Sequence, residues 1–245
     1  MTTPLWVVMP AYNEAESLPG VLDEWLPVLR SEAGQFTFCA LNDGSTDATL
    51  EVLERYRADN PELRVVDKPN SGHAQTCMLG YREACSAGAR WVLQIDSDGQ
   101  CDPRFFPSLW RQRQAHPVVY GYRRRREDGR LRSWVSRIVS LTTWIGQGVW
   151  VADANVPYRL MATSALEPYL DQVPRDFHLA NILLSAFHQR DLGIHWVDIV
   201  FRDRTGGSPS VRPWAFAGRG WQLLRQLRST RRGSASEGVR RSVAP

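Results

Sequence analysis

The sequence predicts an α/β fold, an open and mostly parallel sheet with helices on both faces. Short apolar runs of strand length recur at residues 5–9, 35–41, 63–66 and 91–95. Between them, apolar residues return every three or four positions, the period of a helix with one buried face. Each run ends in a polar loop, and strands that alternate with helices pair in parallel because each helix carries the chain back across the sheet.

Residues 5–9 read as a buried strand that Pro10 to Glu14 leave as a loop. Asn13 and Glu16 have the spacing of a capping box. Leu18, Val21, Leu22, Trp25, Leu26 and Leu29 then follow at helical spacing. The strand over 35–41 ends at Asn42-Asp43-Gly44-Ser45, after which Thr46 or Asp47 caps a second helix with Leu50 and Leu53 inward. The strand over 63–66 leads through Asn70-Ser71-Gly72 into a helix over 73–87, and 91–95 is the fourth strand. Pro103 opens a helix to about Gln114, and 118–122 reads as a strand. Residues 136–150 are apolar but contain Gly146 and Gly148, which predicts an amphipathic, surface-seeking stretch. Past Arg228 there is little to bury, so 229–245 is expected to be a disordered basic tail.

A chain of 245 residues can bury a sizeable core as one large domain. No apolar run reaches the ~18–20 residues that span a bilayer. The N-terminus enters a strand without a charged-then-apolar leader, so a cytoplasmic protein is expected. Cys39, Cys77, Cys85 and Cys101 lack C-x-x-C spacing, which favours reduced core thiols over zinc ligands or disulfides. Lys68 is the sole lysine, so arginine carries the positive charge, and guanidinium suits phosphate recognition. Arg123 to Arg126, Arg130, Arg132 and Arg137 crowd one segment. A net charge of +4 does not mark a nucleic-acid binder, and no nucleic-acid partner is expected.

The turn Asp96-Ser97-Asp98-Gly99-Gln100 closes the fourth strand. Its two carboxylates and amide are hard oxygen donors suited to Mg²⁺ or Mn²⁺. So few protein ligands leave coordination positions for a diphosphate. Alone, Asp-x-Asp is also an ordinary turn or helix cap. A calcium loop is excluded, because Cys101 and Pro107 stand where Gly and Glu are needed. The chain has no G-x-G-x-x-G and no Walker sequence, which counts against dinucleotide dehydrogenases and P-loop NTPases. Tyr12 to Glu14, Asp43 to Ser45, Asn70 to Gly72 and Asp96 to Gln100 all lie at carboxyl ends of strands, where ligands gather in open α/β sheets.

Val7-Val8-Met9-Pro10-Ala11-Tyr12-Asn13-Glu14, Asn42-Asp43-Gly44-Ser45-Thr46-Asp47, Asn70-Ser71-Gly72 and Asp96-Ser97-Asp98-Gly99-Gln100-Cys101-Asp102-Pro103 together resemble glycosyltransferase family 2 in order and spacing. The resemblance implies the GT-A fold, a nucleoside-diphosphate sugar as donor (UDP or GDP), a divalent metal and inversion at the anomeric carbon. Within the family the chain is most similar to dolichyl- and polyprenyl-phosphate sugar synthases. Gly121-Tyr122-Arg123 matches their Gly-x-Arg, and Asp153 with Arg159-Leu160 matches their Asp…Phe-Arg-Leu segment. Arg204 and Gly207 match the Arg-x-x-Gly of their Arg-x-x-Gly-x-Ser, with Ser210 one residue later than that pattern places it. The chain departs at Asn42, Val211 and Asn181, where relatives carry Asp, Lys and an acid.

By this resemblance a single GT-A domain covers 1–228, with a nucleotide-binding half to 102 and an acceptor half over 103–228 that adds acceptor-side helices. Asp96, Asp98 and Gln100 would hold the Mg²⁺ or Mn²⁺. Asp43 would accept a hydrogen bond from the base, while Pro10, Tyr12, Glu14, Ser45, Gly72 and Asp96 would line the nucleotide. Catalysis would rest on Asp98, Arg123, Arg204 and Asp153. In this reading Arg123 and Arg204 meet the departing diphosphate, and Arg204 rides on a glycine-rich flap or a plain surface turn. Asp153 positions the acceptor or acts as base, or else forms a salt bridge to Arg159. Arg159, Asp176, His178 and Ser208 would lie on the acceptor side.

The expected acceptor is a polyprenyl phosphate. Its second pKa of about 6 leaves the oxygen ionised and independent of a base, which agrees with Asn181 in place of an acid. The arginine-rich segment and the amphipathic stretch agree with peripheral contact on the inner face of a membrane. The alternatives are glycosylation of a hydroxyl on a soluble metabolite or glycan precursor, and a noncatalytic nucleotide-binding module. A homodimer also remains open.

Overall fold

The structure, a computed structural model, describes residues 4–126, 130–174, 177, 179–203 and 227. The first half alternates strictly: β1 (Leu5–Ala11), α1 (Leu18–Glu32), β2 (Phe36–Asp43), α2 (Thr49–Asp59), β3 (Leu63–Lys68), α3 (His73–Ser86) and β4 (Trp91–Gln94). A 3-10 turn then leads into α4 (Phe106–Gln112), β5 (Val118–Arg126) and α5 (Arg130–Gln147). The chain continues through β6 (Arg159–Ala162), α6 (Thr163–Leu170), α7 (Ala180–Asp191) and β7 (His195–Phe201).

Among the described residues the seven strands form one sheet in the order β3-β2-β1-β4-β6-β5-β7. The pairs β1–β2, β1–β4, β2–β3 and β5–β7 are parallel, whereas β6 runs antiparallel to both β4 and β5. The predicted mostly parallel sheet is therefore present, with β6 reversed. The chain progresses outward through β1, β2 and β3 and then returns to the other side of β1 as β4. With right-handed crossovers that reversal sends α3 to the face opposite α1 and α2. It also makes the carboxyl end of β1 and β4 the switch point where a crevice opens.

β1 is buried along its whole length, which is why it reads as a continuous apolar run. α1 buries all six of its periodic apolar residues. At Gly80 a Cβ would collide with Val8 Cγ1, so only glycine lets α3 lie this close to β1.

Several boundaries differ from expectation. β1, β2 and β3 each run two residues further, carrying Asp43 and Lys68 out on strand ends, while β4 stops at Gln94. The expected capping box does not form. Ser17 is the N-cap of α1, and Asn13 adopts φ 54° with its Oδ1 accepting from Thr46 N at 2.8 Å. Asp47 Oδ1 accepts from Thr49 N at 3.0 Å and so serves the start of α2, which buries Val52 and Leu53 rather than Leu50. All four cysteines are free thiols, three of them buried. Among the described residues no helix is long and apolar enough to cross a membrane. The segment 229–245 lies outside the described residues.

Candidate active site

The loops at the carboxyl ends of β1 to β4 enclose one side of a cleft of about 510 Å³. Pro10, Tyr12, Glu14, Asp43, Gly72, Asp96 and Asp98 line that side, and Asn155, Val156, Pro157, Leu179 and Asn181 face them. Six of the seven expected nucleotide-binding residues thus share one wall with Asp98. The seventh, Ser45, braces the loop behind it by accepting from Asn13 N at 3.0 Å.

Hydrogen bonds between loops hold this wall. Glu14 N donates to Thr49 Oγ1 at 2.8 Å and Ala15 N to Asp47 Oδ2 at 3.2 Å, tying the β1–α1 loop to the start of α2. Ser17 Oγ donates to Glu14 Oε2 at 2.6 Å and lies 2.9 Å from Ser97 O, linking the first loop to the Asp96 turn. Gly44, at φ +67°, passes so close to the next loop that a Cβ would sit 2.7 Å from Asn70 N. Tyr12 stands 45 % exposed, its ring free to cover a flat ligand.

Asp43 was expected to meet the nucleobase. It lines the cleft, yet its carboxylate also accepts from Lys68 Nζ, from Ser71 N at 2.8 Å and from Gly72 N at 2.9 Å. It therefore shapes the β3–α3 loop, and Lys68 neutralises much of its charge. Lys68 stands opposite Asp43 in the β2–β3 register, a juxtaposition that the sequence does not display.

Asp96 Oδ1 pairs with His73 Nε2 at 2.9 Å. Burial acts to raise the Asp96 carboxyl, but His73, with Arg123 and Arg159, outweighs it and holds the group below the usual carboxylate range. Asp98 Oδ1 accepts from Gln100 N at 3.1 Å, which fixes the turn. Gln100 does not line the cleft, and its Nε2 donates to Arg202 O at 3.0 Å, joining the turn to the end of β7. The donor set fits a hard divalent cation: two cleft-lining carboxylates, one of them held ionised, beside an amide whose nitrogen is turned away.

Asp153 and Arg123 do not line the cleft, and Asp153 pairs with Arg123 rather than Arg159. Arg123 Nε and Nη2 each donate at 2.6 Å in a bidentate fork. Arg159 is fully buried; its Nε, Nη1 and Nη2 donate to the carbonyls of Val156, Asn181 and Ala154 at 2.6, 2.8 and 2.9 Å. It is not an exposed acceptor ligand, because those carbonyls outcompete Asp153 for the guanidinium. Arg159 instead pins the loop that carries Asn155, Val156 and Pro157 to the start of α7. Arg204, Asp176, His178 and Ser208 lie outside the described residues.

Sequence reading missed His73, Gln94 and Asn155, all of which line the cleft. The position of His73 right after Gly72, beside a strand-end loop, is the one signal that pointed there.

The description "Glycosyl transferase family 2" matches residues 6–167. An undecaprenyl-phosphate 4-deoxy-4-formamido-L-arabinose transferase of Pseudomonas fluorescens is 29% identical over 184 residues, 74% of this chain and 53% of the relative. The protein of the same name from Pseudomonas syringae is 31% identical over 167 residues, 67% of this chain and 49% of the relative. The chain thus spans about half the length of these curated relatives. Glucosyl-3-phosphoglycerate synthase from Mycobacterium tuberculosis, solved with Mn²⁺, UDP-glucose and glycerol 3-phosphate, superposes with a TM-score of 0.66 at 22% identity. That alignment covers 93% of this chain and 80% of the synthase. The likeness shows that the two share the GT-A fold. With the family match covering residues 6–167 and the strand-end loops in their expected places, the chain belongs to glycosyl transferase family 2.

Proposed function

We propose that the chain is an inverting, metal-dependent glycosyltransferase that moves a sugar from a nucleoside-diphosphate donor to a polyprenyl phosphate. One observation carries the reading: Asp96 and Asp98 share a cleft wall with Tyr12, Glu14 and Asp43, so a charged end and a nucleoside-sized slot form one continuous site. Relatives named as undecaprenyl-phosphate transferases support the choice of acceptor.

The chemistry is an in-line displacement. An acceptor phosphate oxygen attacks the anomeric carbon, forming a new C–O bond as the bond to the diphosphate breaks on the opposite face. A phosphate monoester is ionised at neutral pH, so its attack needs no general base. This agrees with Asp153 being engaged by Arg123 and with the uncharged Asn181 in the cleft. Asp96 and Asp98 would hold Mg²⁺ or Mn²⁺ in the cleft, and Gln100 would complete the set only by turning its amide oxygen into it. A divalent ion there would supply neutralisation of the charge that develops on the leaving diphosphate. Asp153 takes Arg123 Nε and Nη2 and so fixes the guanidinium beside the site, where it would bear on the diphosphate through its remaining N–H groups. Arg204 and Ser208 would act beside it, with Asp176 and His178 toward the acceptor.

α5 supports action at a membrane surface. Ile138, Leu141, Trp144 and Ile145 are 41–58% exposed at spacings of three and four, one apolar helix face, and Arg130, Arg132 and Arg137 share the helix. Such a face suits the interfacial layer of an anionic bilayer. The test is incubation with UDP- and GDP-sugars, Mn²⁺ and liposomes of anionic lipid containing undecaprenyl phosphate. Sugar incorporated into lipid and protein floating with the vesicles is the expected result. Transfer only to soluble acceptors, or to none, overturns it.

A further inference from the structure

We propose that Gln94, held by Tyr81, is the group that reads the hydroxyls of the transferred sugar, an assignment that rests on the glycosyltransferase reading above. Gln94 is fully buried at the end of β4 yet lines the cleft. It precedes Asp96 by two residues, the spacing that returns an extended chain to the same face, and Asp96 lines the same cleft. The Tyr81 hydroxyl lies 2.7 Å from Gln94 Oε1 and 3.0 Å from Asn181 Oδ1. Gln94 Nε2 has no hydrogen-bond partner among the described residues.

A buried amide nitrogen without a partner is uncommon, because an unmade bond forfeits the hydration that was given up for it. Beside a ligand cleft, the natural completion is a ligand oxygen. The surroundings specify its class. Gln94 and Asn181 are uncharged, and burial, with Cys77 close by, pushes the Tyr81 phenol well above its ordinary value, so it stays protonated. Arg159 pairs with Gln94 across β4–β6 but spends its guanidinium on three carbonyls. Among the described residues the cation nearest Gln94 in the sheet is thus turned to backbone carbonyls. Val156, Pro157 and Leu179 supply apolar surface beside the amides. Neutral amides next to apolar contacts match a pyranose, whose hydroxyls alternate with C–H faces. A hydroxyl both donates and accepts, so it satisfies the Gln94 amide in either orientation. Arg159 donates to the backbone carbonyl of Asn181 and so keeps this amide opposite Gln94.

The test is calorimetric binding, with Mn²⁺, of UDP, GDP, UDP-glucose, UDP-galactose, UDP-xylose and GDP-mannose to the wild type and to Gln94→Met, which preserves side-chain length. Bare diphosphate affinity should stay within about twofold, while the preferred sugar nucleotide should weaken at least about tenfold and the ranking of sugars should flatten. An unchanged sugar ranking in Gln94→Met overturns the proposal while leaving the donor reading intact. Failure of the wild type to bind either diphosphate overturns the donor reading and the proposal together. Should Gln94→Met not fold, Tyr81→Phe serves in its place. Freeing the amide should narrow the sugar ranking by about threefold, and an unchanged ranking there also overturns the proposal.

Discussion

Asp98→Asn should lower the transfer rate on the order of a thousandfold at saturating Mn²⁺ while leaving the melting temperature nearly unchanged. The two effects separate because Asp98 has two roles. Its Oδ1 accepts from Gln100 N and fixes the turn, a task an amide oxygen performs equally well. Its negative charge, facing the cleft beside Asp96, is what a divalent ion and a diphosphate require, and an amide cannot supply it. Steady-state transfer and thermal unfolding on the same preparation decide the matter. Retention of more than about a tenth of wild-type activity would mean that the charge at this position does not serve the reaction.

Arg159→Met should have the opposite profile, with a large loss of stability. The guanidinium is fully buried and donates to three carbonyls; its removal takes the side-chain donor from Val156 O and leaves Ala154 O and Asn181 O to share the one Ser185 hydroxyl proton. Hydrogen bonds to charged groups contribute about 1.5–3 kcal/mol each, so the total exceeds roughly 4 kcal/mol. For a chain of this size that corresponds to a fall in Tm of roughly 10 °C. The side chain also lies over the Tyr120 ring, its guanidinium carbon 4.8 Å from the centroid, so packing is lost with the charge. A melting temperature within about 2 °C of wild type would show that the loop carrying Ala154 and Val156 stands without this anchor.

The first half of the chain is legible in the sequence because its signals are local. β1 and β2 are buried on both faces and read as apolar runs, and α1 shows its buried stripe as a period. The strand-end rule then brings Tyr12, Asp43, Gly72 and Asp96 to one rim without knowledge of any contact. The second half is set by contacts that sequence does not display. β6 is only four residues long, runs antiparallel and is fixed by two partners distant in the chain. Charge alone made Arg159 as good a partner for Asp153 as Arg123; the carbonyls that capture Arg159 belong to Ala154, Val156 and Asn181. Gln94 escaped notice because a polar residue at a strand end carries no period. Its importance lies in a missing partner, which only three dimensions reveal.

The most direct test of the central claim is titration of UDP and of GDP into the wild-type protein with Mn²⁺ and again with a chelator. One nucleoside diphosphate should bind with Mn²⁺ and weaken at least about tenfold without it, because a divalent ion at Asp96 and Asp98 would offset the charge of the phosphates. Equal affinity in both conditions would mean that diphosphate binding does not depend on a cation at Asp96 and Asp98.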